Sequence, residues 1–264
     1  MQGPAIRIDA IAGPARQMPG LLRRYVARLR ARDPQTVTLS VLTACLVLSL
    51  AAFAHLVEDY LTGDPIVRWD VRFALWLHEH ASHPLVRFFD VVTLAGNSAV
   101  LILVVLALGI VFLRRARPND AGVLVLAFVG AALVNALLKL VFHRARPELS
   151  FVHLDTYSFP SGHAAVSSAT FATLAYLLGR RFTSTRARLS LALATVVAVC
   201  LVGFSRLYLG AHYLSDVLAG ISFGLAWASL CLIVYTIWGD RDVLRILPGW
   251  AQRLLARIRP QSSE

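Results

Sequence analysis

Six apolar runs, at roughly 37–56, 91–113, 121–142, 164–179, 190–204 and 214–238, dominate this 264-residue chain. Each is near the length of about 17 to 25 residues that a helix needs to cross a bilayer. The fourth and fifth are short and reach that length only if flanking residues continue the helices. The expected fold is all-α: a six-transmembrane helical bundle with interfacial amphipathic helices. Composition agrees, since the chain is 57% hydrophobic and 16% charged, whereas a soluble domain carries roughly 25% charge. A mean hydropathy of +0.65 completes the case for an integral membrane protein.

The net charge is +11, but the arginines cluster between apolar runs, which fits an anionic membrane surface rather than nucleic acid. Arg7, Arg16, Arg23, Arg24, Arg28, Arg30, Arg32, Arg114, Arg115, Arg117, Arg180, Arg181, Arg186, Arg188, Arg241, Arg245, Arg253, Arg257 and Arg259 fall in segments on one side. Arg68, Arg72, Arg87, Arg144, Arg146, Arg206 and Lys139 remain for the other. This asymmetry places both termini in the cytoplasm of a plasma (inner) membrane and the sparsely basic ends on the periplasmic or extracellular side.

Three regions follow: a basic amphipathic segment 1–36, a six-span domain 37–238 and a second basic amphipathic segment 239–264. Leu21, Leu22, Tyr25, Val26 and Leu29 recur at helical spacing among arginines, as do Leu244, Leu247, Leu254, Leu255 and Ile258, so both segments are expected on the inner leaflet. Trp69, Phe73, Trp76 and Leu77 form a stripe beside Arg68 and Arg72, the pattern of an interfacial helix on the outer face. His55, Glu58 and Asp59 mark the outer end of the first span. Cys45, Cys200 and Cys231 sit inside apolar runs without metal or redox spacing and read as packing residues. No removable leader is expected, because the first apolar run is long enough to span and stay.

Ionisable residues at membrane depth are costly, and therefore functional by default. Three sets occur, each at the outer end of a span. In Lys139 to Pro147, Lys139 and Arg146 are two helical turns apart and share a side if the helix runs to Pro147; paired cations there also serve as snorkelling anchors. In Pro160 to His163, Ser161 can cap the fourth helix, and Gly162 lets a ligand approach backbone amides at a positive dipole end; the same tetrad also reads as a plain turn. In Ser205 to Asp216, a sixth helix starting before His212 would put His212 and Asp216 on one face, so that the carboxylate fixes the imidazole tautomer. An isolated pair of this spacing is more often a helix cap. Convergence decides: Lys139, Arg146, Arg206, a helix N-terminus and two histidines lie where positive charge is otherwise scarce. Such a set suits a multiply charged oxyanion, most simply phosphate.

These sets, in this order, resemble the signature of the type 2 phosphatidic acid phosphatase superfamily: Lys-x6-Arg-Pro, Pro-Ser-Gly-His and Ser-Arg-x5-His-x3-Asp. Lys139, Arg146, Pro147, Pro160, Ser161, Gly162, His163, Ser205, Arg206, His212 and Asp216 match every position. The resemblance implies metal-independent phosphoester hydrolysis through a phosphohistidine, with no cofactor. His212 would be the nucleophile, Asp216 its orienting partner, and His163 the acid and then the base. Lys139, Arg146, Arg206, Ser161 and Gly162 would bind the phosphoryl oxygens.

Expected partners are the bilayer and a phosphorylated membrane lipid, with undecaprenyl pyrophosphate, phosphatidylglycerol phosphate, phosphatidic acid and lipid A phosphates as candidates. The short connection from Pro147 to Pro160 leaves little room for a head-group lid. Competing readings are a lipid phosphotransferase, a vanadate-dependent haloperoxidase sharing the signature, which six spans disfavour, and a non-catalytic lipid-binding or transport protein. His78, His80 and His83 resemble a metal cluster, but helical positions two apart diverge by about 200°, so surface histidines are expected and no metal. His143, His153, Asp155 and Tyr157 border the motifs, as substrate contacts or as loop-shaping residues. Oligomeric state has no signature here.

Overall fold

Every apolar run emerges as helix; of the short ones, the fifth lengthens at both ends and the fourth only at its start. A computed structural model describes residues 20–63, 65–152 and 155–238. These form α1 (Gly20–Arg30), α2 (Pro34–Thr62), α3 (Pro65–Glu79), α4 (His83–Thr93), α5 (Ser98–Arg114), α6 (Pro118–Phe142), α7 (Gly162–Gly179), α8 (Thr185–Tyr208) and α9 (Leu214–Trp238), with no strand among the described residues. The fifth run, expected at 190–204, gains more than a turn because Ser184 caps α8 through the Ala187 amide, a partner for an otherwise orphaned donor.

The chain divides into two units, Met1–Val41 and Leu42–Glu264. In the first, α1 carries Leu21 and Tyr25 on an exposed face among arginines, as an amphipathic helix should. Asp33 caps the start of α2 by accepting the Thr36 amide at 2.9 Å, with Pro34 at the first helical position. The remainder of the N-terminal segment, 1–19, and the whole segment 239–264 lie outside the described residues.

In the second unit α7 is central, packed by α6, α8 and α9. Its buried residues are Ala164, Ala165, Val166, Ser167, Ser168, Ala169, Thr170, Thr173 and Leu177, most of them small. Small residues let backbones approach where the neighbour is another helix rather than lipid. The closest approach is to α9: a Cβ on Gly224 would come within 2.3 Å of the Ala165 carbonyl oxygen, and one on Gly220 within 2.5 Å of that of Ser161. Large apolar side chains instead point outward, including Leu103, Leu106, Leu133, Leu137, Leu193 and Val196, which is the inverted surface that a bilayer calls for.

Four helices, α2, α6, α8 and α9, are long and apolar enough to cross a membrane, with mean hydropathies of 2.3, 2.4, 2.1 and 2.2. The second run is not one straight helix. α4, a 3₁₀ turn at Leu94–Gly96 and α5 bend by 44° and would make a fifth span if taken together. The expected count of six is therefore not confirmed. The run that falls short is α7, whose serines and threonines are tolerated because neighbouring helices enclose it.

α3 is a helix, as the aromatic stripe suggests, with Trp69 and Trp76 exposed and Leu77 buried. Its inward face also carries Asp70, which is 1% exposed. His78 stacks on Phe151 and His80 on Trp76, with ring centroids 4.8 and 4.7 Å apart; His78 is half-buried rather than a surface residue. His55 lies 3.8 Å from Asp59 in the last turns of α2. Cys231 is buried and Cys200 is exposed on α8.

Candidate active site

Two chain reversals build the site at one end of the bundle. The first joins α6 to α7. His143 ends α6 in the left-handed conformation, its amide bonded to the Lys139 carbonyl at 3.2 Å, and Pro147 disfavours helix at the residue before it. The helix therefore stops at Phe142 rather than running to Pro147, and Arg146 enters from a non-helical segment. The two cations nonetheless converge. Lys139 Nζ donates to the Tyr157 carbonyl, and Arg146 Nη2 donates to the same oxygen at 3.2 Å. Arg146 also bonds the Thr156 carbonyl at 2.6 Å, the Thr156 hydroxyl at 2.8 Å and the Ala211 carbonyl at 2.6 Å.

The chain then returns through buried Ser158, Phe159 and Pro160 to α7. Ser158 anchors it, its amide bonded to the Arg144 carbonyl at 2.8 Å and its hydroxyl to that of Ala145 at 2.9 Å. Ser161 occupies the N-cap position, but its hydroxyl makes no capping bond and, although buried, has no hydrogen-bond partner. The expected cap is thus absent. Gly162 and His163 form the first turn of α7; a Cβ on Gly162 would meet the Asn135 side-chain oxygen at 3.1 Å. Of the bordering residues, His143 packs edge-on against Tyr157 at 4.5 Å, Asp155 is exposed, and His153 lies outside the described residues.

The second reversal joins α8 to α9. Arg206 sits in the last turn of α8, 3% exposed, and its Nη1 donates to Thr93 Oγ1 at 2.8 Å while Nε has no partner. The bend after α4 makes this contact, and Gly96, within it, lies against His163: a Cβ there would stand 3.4 Å from that of His163. Gly210, at φ +66, turns the chain under the Leu149 carbonyl, which a Cβ would approach to 2.5 Å.

α9 begins at Leu214, so His212 precedes the helix instead of riding on it. His212 and Asp216 still lie together, but His212 Nδ1 makes no hydrogen bond among the described residues. Asp216 reaches back to accept the Tyr213 amide through Oδ2 at 2.9 Å, as the acidic residue of a capping box does, and the same oxygen lies 3.5 Å from His212 Nδ1. On the other side of the ring, Arg146 Nη1 is 3.2 Å from Nε2. A guanidinium can only donate, so Nε2 presents its lone pair and Nδ1 carries the proton toward Asp216. Burial first, then the Arg146, Arg206 and Lys139 charges, hold the His212 imidazole well below its ordinary range. It is neutral at pH 7.

His163 lies where the charges of Arg206, His212, Arg146 and Lys139 all bear on it. All eight site residues named from the sequence are therefore assembled from four helix ends. Lys139, Arg146 and Arg206 form no ion pair with a carboxylate among the described residues. The carboxylate that bears on Lys139 and Arg146, Asp216, is already taken by Arg144 at 2.6 Å, and the one that bears on Arg206 is Asp90. Sequence reading counted Arg144 only as an outer-side cation and did not single out Asp70, which joins the same network.

The sequence pattern of the PAP2 superfamily matches residues 120–240, a stretch that contains all eight site residues but not Asp70. The chain is 37% identical over 139 residues to phosphatidylglycerophosphatase B of Bacillus subtilis, covering 51% of this chain and 67% of that one. It is 32% identical over 198 residues to the lipid A 1-phosphatase of Rhizobium etli, covering 64% and 80%. The crystal structure of a transmembrane PAP2-type phosphatidylglycerolphosphate phosphatase from Bacillus subtilis superposes with a TM-score of 0.62 at 26% identity, over 72% of this chain and 94% of that one. With its apolar helices and these likenesses, which span two thirds or more of each relative, this chain belongs to the PAP2 superfamily as an integral membrane phosphatase.

Proposed function

We propose that the protein hydrolyses the phosphoester of a phosphorylated membrane lipid through a phosphohistidine, without a metal ion, on the outer face of the membrane. The observation that carries this reading is the set of three cations without carboxylate partners beside two histidines and the unpartnered Ser161 hydroxyl and Arg206 Nε. Uncompensated positive charge at a buried site favours an anion strongly, and a phosphoryl group offers enough oxygens to engage Lys139, Arg146, Arg206, Ser161 and the Gly162 amide together.

With phosphate in place, Arg146 exchanges its His212 contact for a phosphoryl oxygen, which frees the Nε2 lone pair. Nε2 attacks phosphorus as the bond to the lipid oxygen breaks, and His163 gives that oxygen its proton. Water then attacks the phosphohistidine, loses a proton to His163, breaks the P–N bond and releases inorganic phosphate. Asp216 faces the Nδ1 proton throughout and stabilises the positive ring of the intermediate. The lysine and arginines supply the charge neutralisation that metal ions supply in other phosphoryl-transfer sites.

The names of the relatives support phosphatidylglycerol phosphate and lipid A phosphates as substrates; undecaprenyl pyrophosphate and phosphatidic acid share the same reacting group. The arginine asymmetry supports cytoplasmic termini and an outward-facing site. The test is phosphate release by the purified protein in detergent with EDTA, across these four lipids, with His212→Ala as control. Release from at least one lipid that disappears in His212→Ala is expected. Release that requires a divalent metal, or that survives the substitution, overturns the mechanism, and loss of lipid phosphate without free phosphate would point to transfer onto a second lipid.

A further inference from the structure

Arg144 takes no part in the chemistry above, yet it is buried and held by two carboxylates and two aromatic rings. Its side chain is 7% exposed and its guanidinium lies over the rings of Tyr60 and Tyr213, 5.0 and 4.5 Å from their centroids. It divides its donors between two carboxylates. Nη1 bonds Asp216 Oδ1 at 2.6 Å and the Ser215 hydroxyl at 2.7 Å, while Nη2 bonds Asp70 Oδ2 at 2.8 Å. Asp70, on α3, also accepts the Ser215 amide at 2.9 Å and the Ser215 hydroxyl.

Fold stability does not account for three buried charges, since apolar residues of similar volume generally serve as well. Their placement does suggest a role. Asp216 has two oxygens: Oδ2 faces the imidazole, and Oδ1 is held by Arg144. The plane of the carboxylate against His212 is therefore set by the Tyr213 amide on Oδ2 and, on Oδ1, by a guanidinium whose own plane is set by Asp70 and two tyrosine rings. Arg144 alone would neutralise Asp216 and weaken its hold on the ring proton. The second carboxylate shares the guanidinium and leaves one net negative charge facing His212, the sign needed when the ring turns positive on bonding phosphorus.

We propose that Arg144 and Asp70 are positioning residues for the nucleophile, α3 locking the arginine that orients Asp216 against His212. This rests on the phosphohistidine reading. The charged and titratable groups facing His212 are Asp216 from α9, Arg144 and Arg146 from the segment after α6, Lys139 from α6, His163 from α7, Arg206 from α8 and, through Arg144, Asp70 from α3.

The test is steady-state kinetics on monodisperse protein with the preferred lipid phosphate. Asp70→Asn should lower kcat by about a hundredfold with KM within about twofold of wild type, because the phosphate-binding side chains are untouched. The acidic limb of kcat/KM, which reports protonation of the free nucleophile, should move to lower pH in Asp70→Asn and to higher pH in Arg144→Gln. Arg144→Lys keeps the charge but cannot fork between two carboxylates, so it should leave the limb in place and still lose kcat. If either single variant fails to fold, Asp70→Asn with Arg144→Gln keeps the local net charge at minus one and should show the kcat loss at unchanged KM. Wild-type kcat in whichever of these variants folds, or an unmoved limb in both single variants, overturns the inference. A dead His212→Ala beside a fully active Asp70→Asn removes the inference alone, whereas an active His212→Ala removes the mechanism and the inference together.

Discussion

Replacing Ser161 with alanine should stabilise the protein and impair its chemistry at once. The Ser161 residue is fully buried, and its hydroxyl has no hydrogen-bond partner among the described residues. An unsatisfied buried polar group costs about 1–3 kcal/mol. Removing one oxygen opens almost no cavity, so a gain of about 1 kcal/mol is expected, or about 2–4 °C in apparent melting temperature for a chain of this size. The lost interaction is the donor to a phosphoryl oxygen. Removing one such donor costs about 10²–10³ in kcat in acyl-transfer enzymes, and the remaining Lys139, Arg146 and Arg206 place Ser161→Ala at the lower end, about a hundredfold. The assay pairs thermal unfolding in detergent, followed by intrinsic fluorescence, with phosphate release at saturating lipid. Misfolding cannot mimic a rise in stability accompanied by a fall in turnover. A lowered melting temperature would show that the hydroxyl has a structural partner, and unchanged kcat would show that it does not bind the reacting group.

Two further expectations follow from packing and charge. Gly224→Val places a side chain where a Cβ already lies 2.3 Å from the Ala165 carbonyl oxygen; overpacking of this kind costs about 1–3 kcal/mol, and because α7 and α9 both begin at the site, activity should fall with the melting temperature, while a variant as stable as wild type would refute the close packing. His212 is neutral when folded but titrates near 6.5 when unfolded, so below about that pH the unfolded chain binds a proton that the folded one does not. Stability should be fully present above that range and decline as pH falls, less so in His212→Ala, and identical pH profiles for the two would contradict the buried neutral imidazole.

The helices were legible because hydropathy and periodicity are local. Length and hydropathy together mark α2, α6, α8 and α9 as candidate spans. α7 shows the limit of the criterion: its Ser167, Ser168, Thr170 and Thr173 make sense only once α6, α8 and α9 are seen to enclose it. The motif residues were legible as types, and all come to one end. Their backbone setting was not. Lys139 and Arg146 meet on the Tyr157 carbonyl, not on one helix face, because His143 and Pro147 end α6 early. His212 meets Asp216 through a capping geometry, not through helical spacing.

What the amino-acid sequence determined by itself is membrane residence, the all-helical fold and the chemical types gathered for an anion, since each follows from residues near one another in the chain. What only the tertiary structure decided is who holds whom: Arg144 with Asp70, 74 residues apart, Arg206 with Thr93, 113 apart, and Ser215 with Asp70, 145 apart. No local propensity encodes such contacts. They arise when the bend after α4 and the close approach of α7 and α9 bring distant polar groups into a buried space, where each needs a partner.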